Sequence, residues 1–550
     1  MIRLSASTLA IAAGALAATG SSAPAWAASN GPHVAAPVPR ELVTARFVTA
    51  APAPAPLHFT VVLPLRNRAE LTALIRVQGT RRSPFYRHFI TPTQFAARYG
   101  PDARSVAAAE RELRASGIAV TSLSATHTLI KATAPVATID RTFSTSIGMF
   151  AHSGRAYYAN RTPALAPPAL AALGASIIGL DNIPHARPMY VVGPRHAAIA
   201  PRSTHHRTRI GRFTASGTAG GYTPSDLAQA YDFPLDAGNT GSGARVGIVI
   251  SNDYQDGDVN SFFSSYGVNR TGSLGREPID GGGSFDPQQS IEVTLDVEQS
   301  ASLAPGANET VYEIPDLSNQ SILDAYNAVV SDNSADVISS SFGGCEQGAS
   351  VDNADDQVFA QGVAQGQTWF ASSGDQGSNC YPSNATGVSM PSSDPNVVAV
   401  GGTTLSTDNS GNYAGESAWS GSGGGVSSDW ALPSYQQNVA SEASTSNRNV
   451  PDIALNADPN SGDELVFGGQ DSTVGGTSAS SPDAAAAFAA IVGAKGRQGL
   501  ANNRIYALAI GGGPFHDVTS GSNGAYGAGP GYDNVTGWGS FDGNALLNAF

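Results

Sequence analysis

One serine in this chain stands where nucleophilic chemistry could be done. Gly475-Gly476-Thr477-Ser478-Ala479-Ser480-Ser481-Pro482 is a small-residue turn followed by helix formers from Asp483 through Ala490. Glycine lets a backbone turn tightly and approach another backbone closely, and proline suits the first turn of a helix. The spacing predicts Ser478 at a helix N-terminus, its hydroxyl exposed and backbone N–H groups beside it. A serine nucleophile with an oxyanion hole requires that geometry. Taken alone, the same residues also read as a Gly/Ser loop capping an ordinary helix.

A serine hydroxyl needs a base. The usual partner is histidine, and the chain has ten. Only His516 lies in the region that carries Ser478, and it follows the serine, so an Asp–His–Ser order is not available. A carboxylate pair is. In Ile291-Glu292-Val293-Thr294-Leu295-Asp296-Val297-Glu298 the two acids Glu292 and Asp296 are four apart and share one face of a helix. Like charges at that spacing repel, so when buried they share protons and one pKa rises. Glu292 can then take the serine proton while Asp296 supports it. An acidic solvated face is the plainer reading, but the apolar residues between the acids weigh against it. A further oxyanion donor is Asp375, in Ser372-Ser373-Gly374-Asp375-Gln376-Gly377, just past an expected strand. Desolvated and protonated, it can donate a hydrogen bond; by sequence alone a turn aspartate is the simpler reading.

The elements that must position these residues read as α/β. From Tyr222 onward the chain is Gly/Ser-rich. Strands are expected at Val246–Ile250, Val311–Glu313, Ala335–Ser339, Thr368–Ser372 and Val397–Val400. Helices are expected at Gln289–Ser302, Ser321–Ser331 and Asp352–Gln365. Such alternation predicts a parallel sheet with functional groups beyond the carboxyl ends of its strands. Before it, from Leu57 to about residue 190, strands at His58–Leu65, Ile118–Leu123 and His127–Lys131 with helices at Arg68–Gln78 and Ser105–Ser116 predict an α+β unit without a catalytic constellation.

Composition separates the two parts further. Residues 1–220 hold 23 Lys and Arg against 7 Asp and Glu, whereas 221–550 hold 7 against 37. A basic and an acidic half attract each other, and the acidic half would repel nucleic acid. Residues 1–27 read as a secretory signal: Arg3, an apolar core from Leu9 to Ala18, and Ala25-Trp26-Ala27 as the cleavage site. No later segment reaches membrane length, so a secreted, extracellular protein is expected, with no nucleic-acid or membrane partner. In that compartment a disulfide between Cys345 and Cys380 is the first expectation, and two buried thiols the other. Residues 28–56 read as a loose Ala/Pro-rich segment. Residues 191–221, with four arginines from Arg202 to Arg212, read as an exposed basic linker open to proteolysis.

Taken together, Glu292-x-x-x-Asp296, Ser373-Gly374-Asp375-x-Gly377 and Gly476-Thr477-Ser478-Ala479-x-x-Pro482 resemble the sedolisins, the serine-carboxyl peptidases. The whole chain is similar to a precursor of the pro-kumamolisin type, with Ser83-Pro84-Phe85-Tyr86, Phe89-Ile90-Thr91-Pro92 and Phe95 matching the propeptide pattern. The resemblance runs from about Leu57 to Phe550. It implies a subtilisin-like parallel-sheet catalytic domain (222–550) preceded by an α+β antiparallel prodomain (57–190) and an activation linker (191–221). It also implies an acid-active zymogen acting on protein and peptide substrates and partnered by its own propeptide; a monomer is expected. By resemblance Ser478 is the nucleophile, Glu292 the base, Asp296 its partner and Asp375 the oxyanion-hole acid. It implies one structural calcium ion, held by the carboxylates of Asp517 and Asp533 and the carbonyls of Val518, Gly529 and Gly531. These are hard oxygen donors on glycine-rich loops.

Two departures stand out. Ile250 takes the place of a glutamate that extends the acid network in kumamolisin-like members, and Phe342 stands where a tryptophan is usual, so a shorter proton network around Glu292 is expected. With no inserted barrier segment, the expectation is an endopeptidase cut loose within about Arg195–Gly221, the basic prodomain losing its hold as carboxylates protonate. The other readings are a tripeptidyl-peptidase, a neutral subtilisin-like protease, and a non-catalytic secreted binding protein on a peptidase scaffold.

Overall fold

Apolar runs without polar interruption become the central strands of one large sheet. The computed structural model describes residues 33–152, 154–194, 208–210, 213–383, 385–441 and 443–550. Its eight-stranded sheet is built from β1 (Arg245–Ser251), β2 (Leu274–Pro278), β3 (Asn308–Ile314), β4 (Val337–Ser340), β5 (Thr368–Ser372), β6 (Val397–Thr407), β7 (Tyr413–Ala418) and β8 (Ile453–Asn456). The order is β2-β3-β1-β4-β5-β6-β7, with β8 also beside β6. Every pairing is parallel except β6 with β7. Parallel strands need crossover connections that cover the sheet, which is why its central strands β1, β4, β5 and β6 are buried while the edge strand β2 is not. The crossovers supply the helices: α1 (Ile291–Leu303), α2 (Asn319–Asp332) and α3 (Ala349–Ala364), followed late in the chain by α4 (Thr477–Lys495).

Helix α4 is buried from Thr477 through Val492. Its alanines present little bulk, so it lies close to α1 and crosses β4, β5, β6 and β8. This packing aligns the first turn of α4 with the first turns of α1.

The N-terminal unit is antiparallel throughout. One sheet runs Ala119–Leu123, Leu129–Pro135, Pro56–Val62, Ser176–Ile178. A second joins Arg46–Ala50, Ile147–His152 and Arg155–Asn160. Helices span Arg68–Gln78, Pro92–Tyr99 and Ala103–Ala115. Thr91 and Gln94 form a reciprocal cap that starts the second of them, and Asp102 caps the third. This unit has its own apolar core, including Phe59, Ile130 and Phe143. Leu71, Ile75, Phe95 and Tyr99 from its helices instead join the core of the large sheet.

The stretch expected to be loose is built in from His33 onward. Val34–Ala36 pairs with Ala164–Leu165, and Arg46–Ala50 with Ile147–His152; Ala35, Ala36 and Ala51 join the N-terminal core while Arg46–Ala50 itself stays exposed. The stretch expected as an open linker is likewise partly built in: Val191–Val192 pairs with Gln470–Gly475, and the amides of Ala219 and Gly221 donate to Glu464. The expected signal at 1–27 and most of the arginine-rich linker lie outside the described residues. Cys345 and Cys380 are joined as a disulfide. Among the described residues no helix is long and apolar enough to cross a membrane.

Candidate active site

Gly476 immediately precedes α4 with a φ of +101°, a conformation that L side chains rarely adopt. A Cβ there would lie 2.4 Å from the carbonyl oxygen of Met189 and 2.6 Å from Oδ2 of Asp375. The glycine therefore leaves room for a bound carbonyl and a carboxyl to meet beside the next residues. Ser478, second in the helix, donates its N–H to that Met189 carbonyl at 2.8 Å. Its Oγ accepts from the Met189 N–H at 3.1 Å and donates to the Ser341 carbonyl at 3.0 Å.

Across from it, α1 presents Glu292 and Asp296 on successive turns, both essentially without solvent exposure. Burial, and then the Asp296 carboxyl, push Glu292 well above the usual carboxylate range, with the Ser478 hydroxyl acting in the opposite sense. Burial also raises Asp296 well above its ordinary value; the Ser341 hydroxyl opposes this and Glu309 adds to it. Neither carboxylate makes a hydrogen bond of ordinary geometry among the described residues. Both carboxyls are thereby biased towards their protonated forms.

Asp375 follows β5. Its Oδ1 accepts from the Thr477 N–H at 2.8 Å and from the Thr477 hydroxyl at 2.9 Å. Its buried Oδ2, on the side of the Met189 carbonyl, has no partner among the described residues. Burial raises this carboxyl to about 7 despite the two Thr477 bonds. Below that pH it carries a proton that Oδ2 can offer to an oxygen in Met189's place. The four sequence-selected residues thus converge on one point.

Several participants are not legible in the sequence. Met189 and Tyr190 flank the bond that lies on Ser478, whereas the expected cleavage window, Arg195–Gly221, lies further along the chain. Nothing in the local residue types marks them, because the match is made by strand pairing on both sides. Ser341 directly precedes Phe342, but its carbonyl role emerges only in three dimensions. Glu309 is a buried acid on β3 that accepts from the Ser300 hydroxyl at 2.8 Å, and Ser300 also donates to the Asp296 backbone carbonyl. Ile250 is buried and apolar as expected, but the acid network is not simply shortened, since Glu309 enters from the neighbouring strand. Burial raises it to about 7.

At the C-terminal loops, Asp517 Oδ2 accepts from the Gly531 N–H at 2.9 Å and Asp533 Oδ2 from the Gly529 N–H at 3.1 Å. Asp517, Gly529, Gly531 and Asp533 are thus tied into one turn, with Val518 next to Asp517. The donors are all oxygens, two carboxylates and loop carbonyls, which fits a hard cation. Among the described residues no cluster of three or more His, Cys, Asp or Glu side chains supplies a site by itself, so carbonyls would have to complete this one.

Two family models match the chain: "Pro-kumamolisin, activation domain" over residues 44–183 and "Subtilase family" over 286–539. Sedolisin of Pseudomonas sp. (strain 101) is 33% identical, covering 90% of this chain and 86% of the relative. Kumamolisin of Bacillus sp. (strain MN-32) is 32% identical, covering 90% and 91%. The solved structure of Pseudomonas sedolisin, a serine-carboxyl proteinase complexed with two molecules of pseudo-iodotyrostatin, is 34% identical. It matches with a TM-score of 0.55, covering 60% of this chain and 97% of that one.

Proposed function

The chain belongs to the sedolisin family, as a serine-type peptidase made with its own activation domain, and on that premise we propose that it is a secreted, acid-active endopeptidase in which carboxylates replace the histidine. The observation that carries this reading is a peptide carbonyl, that of Met189, received by the Ser478 N–H beside the unpartnered Asp375 Oδ2.

In the proposed reaction Ser478 Oγ attacks the substrate carbonyl carbon and its proton passes to Glu292, with Asp296 holding a proton that makes the buried pair tolerable. The oxyanion accepts from the Ser478 N–H and from protonated Asp375, donors set in place before charge develops. Glu292 returns the proton to the leaving amine as the C–N bond breaks, leaving an acyl-enzyme on Ser478. A water then follows the same path and releases the acid. Ser341, whose carbonyl accepts from both Ser478 Oγ and the Met189 N–H, aligns nucleophile and substrate.

Strand pairing continues on both sides of Ser478, which supports cleavage within chains rather than release of N-terminal tripeptides. The signal-like residues 1–27 support secretion. The residues up to about 190 act as the inhibitory and folding prodomain, and 222–550 as the catalytic domain. Calcium, held by Asp517, Asp533 and the carbonyls of Val518, Gly529 and Gly531, would cross-link the C-terminal loops and takes no part in the chemistry.

The test is incubation of the full-length chain at about pH 4 and about pH 7, the acid value being chosen near carboxylate pKa values, beside Ser478→Ala. The parent should shorten and digest internal bonds of casein only in acid, and the variant should do neither. A parent that stays intact and inert in acid would contradict the proposal.

A further inference from the structure

Between residues 187 and 192 the chain crosses the nucleophile as an extended strand, so its own side chains fill the subsites on both sides of the reacting bond. Arg187 and Pro188 pair with Gly343 and Phe342. Val191 and Val192 pair with Gly475 and Val474. Between them, Met189 presents its carbonyl to the Ser478 N–H. This is β-addition, in which main-chain bonds give affinity and side-chain pockets give selectivity.

The pockets have readable chemistry. Met189 is 2% exposed. A Cβ on Gly343 would come within 2.9 Å of its methyl carbon, and one on Gly374 within 3.6 Å of its sulfur. Two glycines thus make a slot that a long, flexible apolar side chain fills. On the other side of the bond, Tyr190 packs on a buried apolar cluster of Leu295, Leu465, Val474 and Ala479. Two residues before Met189, the Arg187 guanidinium lies 5.0 Å from the centre of the Tyr381 ring, a cation–π distance.

We infer that the segment is a template for the enzyme's substrates: the mature peptidase selects peptides with a long apolar residue before the cut, an aromatic residue after it, and a basic residue two positions before the first. This rests on the peptidase reading given above.

The experiment uses the full chain activated in acid. The product is given casein and, in parallel, a quenched-fluorescence peptide with the sequence of residues 187–192, together with peptides carrying Met189→Asp, Tyr190→Gly or Arg187→Ala. The parent peptide should be cut between its methionine and tyrosine. Met189→Asp and Tyr190→Gly should each lower kcat/KM by about tenfold or more, and Arg187→Ala by about threefold, in line with the range that pocket contacts command. In the enzyme, Leu465→Ala, which cuts back the cluster under Tyr190, should shrink the loss that Tyr190→Gly causes in the peptide. Casein digestion with the peptide cut elsewhere, or with all three substitutions within about twofold, would overturn the inference while leaving the peptidase reading intact. Failure to cut both casein and peptide would overturn both.

Discussion

At Asp375 one proton separates a hydrogen-bond donor from a charge that would repel an oxyanion. Burial raises its carboxyl to about 7, so the donor is present below that pH and is lost as pH rises through it. Asp375→Asn keeps an N–H donor that does not titrate while leaving an oxygen for the Thr477 N–H. Its kcat/KM should fall, yet decline less steeply towards neutral pH than that of the parent. Asp375→Ala, with no donor, should cost about 10²–10³ in kcat. Steady-state kinetics on one peptide across pH checks both, and an unchanged neutral decline in the Asn variant would count against the assignment. Ser478, Glu292, Asp296 and Asp375 can be picked from the sequence because each sits in a short local pattern: a turn before a helix, an i,i+4 pair, a glycine-flanked aspartate after a strand. Glu309 and the Met189–Tyr190 bond cannot, because their parts come from segments distant in sequence and meet only through the sheet and the threaded segment.

Among elements, α1 and α4 carry Glu292, Asp296 and Ser478, and their burial underlies the acid range proposed for the reaction. Both helices and the central strands are legible in the sequence because their apolar runs are long. The strand β2 is not, since Leu274-Gly275-Arg276-Glu277-Pro278 reads as polar loop and becomes a strand only by pairing with β3. Residues 28–56 read as loose because Ala and Pro carry no strand period, although Ala35, Ala36 and Ala51 join the N-terminal core. The C-terminal loops offer a test at this scale. Calcium binding only the folded form stabilises by about 3 kcal/mol when it is a hundredfold above its dissociation constant. Chelation should therefore lower the Tm of the mature enzyme by several degrees, with recovery on adding calcium. Asp517→Ala, which removes the carboxylate that receives the Gly531 N–H, should abolish the response. A Tm indifferent to chelator would contradict a bound structural ion.

For the whole molecule, the charge division between the halves becomes a small set of ion pairs across the two units. Lys131 of the N-terminal unit meets Asp324 at 2.9 Å and Asp280 at 3.5 Å, and Arg68 pairs with Asp356. Burial, and then Asp280, raise Asp324 to about 7, with Lys131 opposing. A carboxyl raised in the folded chain above its unfolded value takes up a proton on folding. Its contribution is full below the ordinary carboxylate range and is lost as pH rises through about 7. Glu309 and Asp375 have the same sign. Acid therefore favours the folded chain at these groups, whereas the Lys131–Asp324 ion pair that joins the two units is lost as Asp324 protonates. The uncleavable Ser478→Ala chain should melt no lower at about pH 5 than at about pH 7, and a fall in its Tm over that interval would contradict the sign assigned to these groups.

The most direct measurement is the pH dependence of kcat/KM for the mature enzyme on a single peptide. A serine activated by a buried carboxylate pair, with a protonated aspartic acid in its oxyanion hole, should be most active in acid and should lose activity as pH rises through about 7. Activity that instead increases from about pH 6 to about pH 8, as an imidazole base would give, would contradict the account.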